Sequence, residues 1–130
     1  MPFDSFGFQV ESNPVVLALM EAKAKIKDRR RWTTDATGKT ADGAYVRATN
    51  PAAVSWCAVG AVKVVRPGVA NLSVYDAAMK CLRRAARKVG GAGALPQGVN
   101  DGQGHSATMR MFDVAIEMAR ATAQQDEMAL

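Results

Sequence analysis

The sequence has few of the residues that build metal-stabilised or cross-linked domains. Its 130 residues include two cysteines, one histidine and 6% aromatic side chains. Two cysteines do not form a disulfide framework, and together with one histidine they are too few for a structural zinc site. We therefore expect neither a metal nor a cofactor, and a reducing, cytoplasmic location.

Export and membrane signals are also missing. No charged and then apolar N-terminal segment with a small-residue cleavage site is present, and the uncharged stretch from Asn50 to Val62 is too short to span a bilayer. We therefore expect no membrane partner. A chain of this length with 48% hydrophobic residues can bury a core of its own, so we expect a single domain over residues 1–130.

The uncharged stretch predicts the central element of the fold. Asn50 is a good N-cap and Pro51 suits a first helical turn, which together predict a helix over about 51–65. Because this helix is apolar nearly all round, it is expected to be buried. Cys57 would then lie about two turns inside it. Gly60 would lie on a ridge of small residues that a neighbouring backbone can approach closely.

Three more helices are predicted from capping signals and apolar periodicity. They cover about 14–30 after Asn13-Pro14, about 74–89 between Ser73 and Gly90-Gly91, and a last segment from Ser106 or Thr108 to about 123. The predicted fold is thus mainly α, a compact four-helix domain with a buried central helix.

The segments between these helices give weaker signals. The Asp42-Gly43 pair predicts a turn that enters a short extended or hairpin segment within 33–50. Residues 90–105 hold six glycines, and a loop of this length in a small domain is usually functional or disordered. Residues 1–12 are expected to form an arm over the domain or to be disordered, and residues 124–130 to form a frayed tail.

The helix predicted over 74–89 carries an unusual face. Five cations at i, i+3, i+4, i+7 and i+8 share one side of it, with no carboxylate among them: Lys80, Arg83, Arg84, Arg87 and Lys88. The net charge of +5 is by itself weak support for a nucleic-acid partner. Mixed signs are usual on a solvated face. The five-cation face is therefore either an ordinary solvated surface or a contact for nucleic acid or an acidic protein.

The residue types of a thiol hydrolase are also present. Cys57, His105 and either Asn100 or Asp101 could act as nucleophile, base and orienting group. A cysteine inside an apolar helix is more typical of core packing, because burial raises the pKa of a thiol.

A second candidate site does not need the cysteine. Trp32, Asp42, Asn100, Asp101 and His105 could together bind a polar ligand or a partner. The structural alternative is that Asn100 and Asp101 form an Asx turn that positions the following helix.

Several of these residues also recur together in a known family. In chain order they are Trp32, Asp42-Gly43, Pro51, Trp56-Cys57-Ala58-Val59-Gly60-Ala61, Asn100-Asp101 and Thr108. Over roughly residues 14–120 the chain resembles a family of small bacterial and phage proteins known only as a domain of unknown function. The resemblance supports the predicted fold and implies no activity.

From these observations we expect a non-enzymatic accessory or interaction module. The alternatives are a basic nucleic-acid-associated protein and, third, a small thiol hydrolase that uses Cys57 and His105. The partner would be an acidic protein or a nucleic acid bound at the five-cation face, and the sequence is compatible with an oligomer.

Overall fold

The computed structural model describes residues 11–129, which are mainly helical. Six α-helices are α1 (Pro14–Ile26), α2 (Ala58–Val64), α3 (Arg66–Ala70), α4 (Leu72–Gly90), α5 (Pro96–Gly98) and α6 (His105–Ala129). Three short strands are β1 (Gly38–Lys39), β2 (Tyr45–Val46) and β3 (Ser55–Trp56). The arm predicted for residues 1–12 lies outside the described residues except for Glu11 and Ser12, which have no regular secondary structure.

Helix α1 begins where the sequence predicted and ends earlier. The Asn13 side chain accepts hydrogen bonds from the backbone N–H groups of Val15 and Val16, which confirms the predicted cap. The helix ends at Ile26 instead of residue 30, because the carboxylate of Asp28 accepts a hydrogen bond from the Arg30 N–H and begins a separate 3₁₀ turn. Local side-chain acceptors of this kind compete with the helical backbone ladder.

The helix predicted over 51–65 is wrong in its first half. Asn50 accepts a hydrogen bond from the N–H of Ala52 in a local turn, and Ser55–Trp56 is the strand β3. Helix α2 starts only at Ala58, with Cys57 as its N-cap. A short apolar run does not distinguish strand from helix by its periodicity, and here the pairing of β3 with β1 decides the outcome.

The three strands form a small antiparallel sheet in the order β2-β1-β3. Gly38 pairs with Val46 on one side and with Trp56 on the other. Between β1 and β2 the chain turns at Gly43, whose φ of 87° is a conformation that other residues rarely adopt. The extended or hairpin segment predicted within 33–50 is therefore confirmed, whereas the third strand was not predicted.

Helices α3 and α4 follow α2 almost without interruption. Helix α2 ends at Val64, close to the predicted end at about residue 65, and Pro67 lies in the first turn of α3, where its missing N–H is tolerated. Helix α4 is capped by Asn71, whose side chain accepts from the Ser73 N–H, so the predicted Ser73 cap is wrong by two residues. Its end at Gly90 is as predicted.

The glycine-rich segment 90–105 is more regular than predicted. It contains α5, begun by Pro96, and a π-helical turn over Val99–Gln103. Helix α6 starts at His105 and runs to Ala129, so it includes residues 124–129 of the segment for which a frayed tail is predicted. Glutamine, glutamate, methionine and alanine, which make up most of this tail, are good helix formers.

The core lies where the three long helices meet. Helices α4 and α6 pack along each other and α1 packs against both. The largest fully buried apolar side chains are Leu19 and Ile26 of α1, Leu82 of α4, and Met111 and Phe112 of α6. The central helix is buried as predicted, but at seven residues it is half the expected length. The four-helix description is accordingly replaced by three long helices that pack together and a short α2 that packs mainly against α1.

None of the helices within residues 11–129 combines the length and the apolar character needed to cross a bilayer.

Candidate functional site

Asn100 is the centre of the predicted site, and it is fully buried in the π-helical turn that precedes α6. Its Oδ1 accepts a hydrogen bond from the Trp32 indole at 2.7 Å and another from the Ala58 N–H at 3.0 Å. Its Nδ2 donates to the Thr33 carbonyl at 3.0 Å and to the Asp101 carboxylate at 2.8 Å. An amide has two lone pairs and two N–H groups, so the Asn100 side chain has no capacity left for a ligand.

These bonds connect three distant parts of the chain. Trp32 and Thr33 follow the 3₁₀ turn, Ala58 opens α2, and Asn100 and Asp101 precede α6. We call this group of five residues the Asn100 clasp. Because the Asn100 Oδ1 satisfies one of the free N–H groups at the start of α2, the clasp caps that helix.

His105 lies beside the clasp at the start of α6. Its Nε2 is 2.8 Å from the carbonyl oxygen of Ile26 at the end of α1. A carbonyl oxygen only accepts hydrogen bonds, so Nε2 carries the proton in this contact. The ring also meets Trp32 edge-on, with ring centroids 5.3 Å apart and planes at 72°. His105 therefore joins α1 to α6 and packs against the clasp.

The structure brings together four of the five residues predicted for a polar site. Trp32, Asn100, Asp101 and His105 are neighbours, whereas Asp42 lies in the β1–β2 turn. There Asp42 accepts a hydrogen bond from the Thr40 hydroxyl, and this bond lowers the pKa of its carboxyl group. The Asp42 carboxylate thus stabilises the hairpin turn.

Cys57 is buried as expected for core packing, but it lies at the start of a helix and not two turns inside one. It is the N-cap of α2, its Sγ accepts from the Gly60 N–H at 3.4 Å, and it is 4% exposed. Burial raises the pKa of its thiol, the nearby Asp101 carboxylate raises it further, and hydrogen bonds from the Gly60 and Val59 backbone act in the opposite direction. The net effect keeps Cys57 protonated at neutral pH.

A cavity of about 390 Å³ opens beside this thiol. Its lining residues are Asp35, Ala36, Thr37, Cys57, Gln97 and Asp101. The Asp35 N–H donates to the Asp101 carboxylate at 3.2 Å. The charged groups of the cavity are thus two carboxylates, and anions oppose thiolate formation. Within residues 11–129 no hydrogen bond joins Cys57 to His105.

Sequence reasoning missed two contacts that shape this region. The Lys25 ammonium lies 4.1 Å from the centre of the Trp56 ring, and the Thr33 carbonyl accepts from Asn100. The first could have been suspected from the basic residues near the end of α1. The second left no signal in the sequence, because any residue supplies a backbone carbonyl.

The basic residues of α4 form a separate surface, on which all five side chains are exposed. We call it the α4 cation face, and it consists of Lys80, Arg83, Arg84, Arg87 and Lys88. Helix α4 holds these five of the chain's 17 cations and, with Asp76, one of its 12 carboxylates, so it carries +4 of the net charge of +5. Among the described residues, no carboxylate lies within 4.0 Å of any of the five.

Comparison with known proteins adds a family and no activity. Residues 11–118 match the model of a Family of unknown function (DUF6197). The matched range contains the clasp, Cys57 and the whole α4 cation face. No curated protein matches the chain, and no solved structure matches it.

Proposed function

The chain belongs to this family of unknown function, from which no activity can be inherited, and we propose that it is a non-enzymatic interaction module that binds an acidic partner through the α4 cation face. The observation that carries the proposal is the concentration of charge. One helix holds +4 of the net +5, so the rest of the chain is nearly balanced. Residues 21–31 also concentrate charge, with six cations and two carboxylates, but two of these cations are paired, Arg30 with Asp28 and Lys23 with Asp113. Among the described residues the α4 cations have no such partner, so their charge is left to attract anions to this surface.

The arrangement of the cations along α4 supports a binding role. Lys80 and Arg84, Arg83 and Arg87, and Arg84 and Lys88 are each four residues apart. Like charges at this spacing are neighbours on a helix, and each pair costs about 0.2–0.5 kcal/mol of helix stability. Interspersed glutamates would remove this cost and serve solubility equally well. An anionic partner would relieve the repulsion on binding.

The state of the polar residues around Asn100 favours a binding module over an enzyme. The Asn100 amide and the Trp32 indole of the clasp hydrogen bond to other parts of the fold, and so does the Nε2 of His105 beside it. The thiol-hydrolase alternative needs a thiolate with a base in contact with it. The raised pKa of Cys57 and the engagement of His105 with Ile26 give that alternative no support.

The proposal is tested by neutralising the face without disturbing the core. The α4 variant is Arg83→Ala/Arg84→Ala/Arg87→Ala, in which the three exposed side chains are removed and α4 keeps residues with good helix propensity. We expect the salt concentration that elutes the protein from immobilised heparin to fall clearly below that of the wild type. Circular dichroism checks that the helix content is unchanged.

A charge-matched control separates the face from the net charge. The variant Arg29→Ala/Arg31→Ala/Arg47→Ala removes three exposed cations from other elements, so both variants have a net charge of +2. We expect this control to elute close to the wild type. Equal losses of retention in the two variants would contradict the proposal, since net charge alone would then explain the binding.

A further inference from the structure

We infer that the partner of the α4 cation face is the phosphate backbone of a nucleic acid, bound without recognition of the bases. This inference rests on the proposed function, because it names the partner of the same face. It follows from three features of the face: the kind of cation, the length that the cations cover, and the groups that the face does not expose.

The cations suit phosphate. Three of the five are arginines, whose planar guanidinium groups form paired hydrogen bonds with phosphate oxygens. From residue 80 to residue 88 the face extends about 12 Å along the helix axis at 1.5 Å per residue. A duplex carries one charge per ~1.7 Å of its axis, so about seven phosphates lie along the same length. These are divided between the two strands, about three or four on each, so contact with all five cations requires α4 to lie across a groove and reach phosphates of both strands.

The surroundings of the cations do not suit a protein partner. Protein interfaces have an apolar centre, often with aromatic side chains, from which charged residues are depleted. Between Lys80 and Lys88 the remaining residues of α4 are buried or half-buried. The exposed Leu72 lies at the other end of the helix, beyond Asp76. Contacts at the face are therefore mainly charge contacts, which is the chemistry of non-specific nucleic-acid binding.

The same surroundings argue against base recognition. Proteins that bind single strands stack bases on exposed aromatic rings, and the one aromatic residue of α4, Tyr75, is half-buried. Helices that read bases in the major groove do so mostly with side chains near the N-terminal end. In α4 that end exposes Leu72, Ser73 and Asp76, and the Asp76 carboxylate repels phosphates.

The experiment measures affinity across a salt series by fluorescence polarisation. The probes are two labelled 20-base-pair duplexes of unrelated sequence, a labelled single strand, and a labelled polyglutamate peptide of similar length. If all five cations contact duplex phosphates, affinity falls about 500-fold between 50 and 200 mM salt, from a log–log slope of about −4.5. The α4 variant retains two of the cations, and its affinity should fall only about 12-fold over the same range.

The control and the remaining probes decide between partners. We expect the Arg29→Ala/Arg31→Ala/Arg47→Ala control to keep the wild-type slope, and both duplexes to bind within about threefold of each other. Polyglutamate bound more tightly than either nucleic acid, with the binding lost in the α4 variant, would overturn the inference and leave the proposed function standing with an acidic protein as partner. A tenfold preference for one duplex would overturn the claim that the bases are not read. Equal duplex slopes for the wild type and the α4 variant would overturn the inference, and equal slopes with polyglutamate as well would overturn both proposals.

Discussion

Replacing Gly60 with alanine tests how α2 is packed. A Cβ at this position would lie 2.0 Å from the Thr37 carbonyl oxygen and 2.9 Å from the Thr37 carbonyl carbon. Carbon and oxygen atoms in close non-bonded contact are normally about 3.3 Å apart, so the Thr37 backbone would have to retreat by more than about 1 Å. Its retreat is restricted, because the Thr37 hydroxyl accepts from the Ala48 N–H and the next residue begins β1.

Two opposing effects set the magnitude of this change. Glycine inside a helix is about 1 kcal/mol less favourable than alanine, so an alanine in open space would stabilise α2. Overpacking a filled interior costs about 1–3 kcal/mol, and here the obstacle is backbone, which cannot change rotamer. The upper part of that range, about 2–3 kcal/mol, therefore applies. After the helix-propensity gain of about 1 kcal/mol, we expect Gly60→Ala to lower the free energy of unfolding by a net of about 1–2 kcal/mol.

Urea denaturation of wild type and variant gives the measurement, with the two slopes compared to confirm a two-state transition. The matched control is Gly98→Ala, since Gly98 has helical dihedrals of −66° and −40° and nothing within 4 Å of an added Cβ. That control should be stabilised by about 0.4–1 kcal/mol. If Gly60→Ala were neutral or stabilising, the close packing of α2 on Thr37 would be refuted.

Three further changes test the clasp, the thiol and the α4 cation face. Asn100→Asp places a carboxylate against the Thr33 carbonyl and Asp101, so it should destabilise the fold by about 3–5 kcal/mol at pH 7. The loss of stability should be smaller at pH 4, where the protonated side chain of this variant can donate a hydrogen bond. Equal losses of unfolding free energy in urea melts at the two pH values would contradict this expectation. Native Cys57 should react slowly with Ellman's reagent and quickly in urea. Fast labelling of native Cys57 that His105→Ala abolishes would instead favour the hydrolase alternative. Because the pKa of the Cys57 thiol is raised in the fold, the free energy of unfolding should fall more steeply above roughly pH 8.5 in the wild type than in Cys57→Ala. Arg84→Gln removes two like-charge pairs and should raise stability by about 0.4–1 kcal/mol while weakening heparin binding, and a lower melting temperature would argue against repulsion on this face.

The predicted helix ends and turns that the structure confirms depend on interactions between residues close together in the sequence. Asn13-Pro14 opens α1, Asp42-Gly43 turns the hairpin, and Gly90-Gly91 ends α4. In each case a side chain or a backbone conformation affects only the few residues next to it, so the adjacent sequence is enough to predict where the helix or turn begins or ends. The spacing of the α4 cations is of the same kind, because helical periodicity alone places them on one side.

The predicted helix starts that the structure contradicts lie where two local sequence signals compete. Asn50-Pro51 has the form of a helix start, yet the chain there makes a turn and then pairs with β1. Asn71 and Ser73 are both good caps, and the structure uses the first. The choice depends on which conformation lets the flanking residues reach the core, and that condition involves residues far away in the chain.

The sequence by itself determined that the chain is mainly helical, that the later part of the uncharged stretch, Ser55 to Val62, is largely buried, and that one face of α4 is cationic, since composition and periodicity fix each of these. Only the tertiary structure decided the roles of Asn100, His105 and Cys57. Asn100 meets Trp32 across 68 positions and His105 meets Ile26 across 79, and Cys57 becomes a buried cap because β3 replaces the start of the predicted helix. Contacts over such separations arise when the long helices pack together, and no pattern confined to neighbouring residues records them.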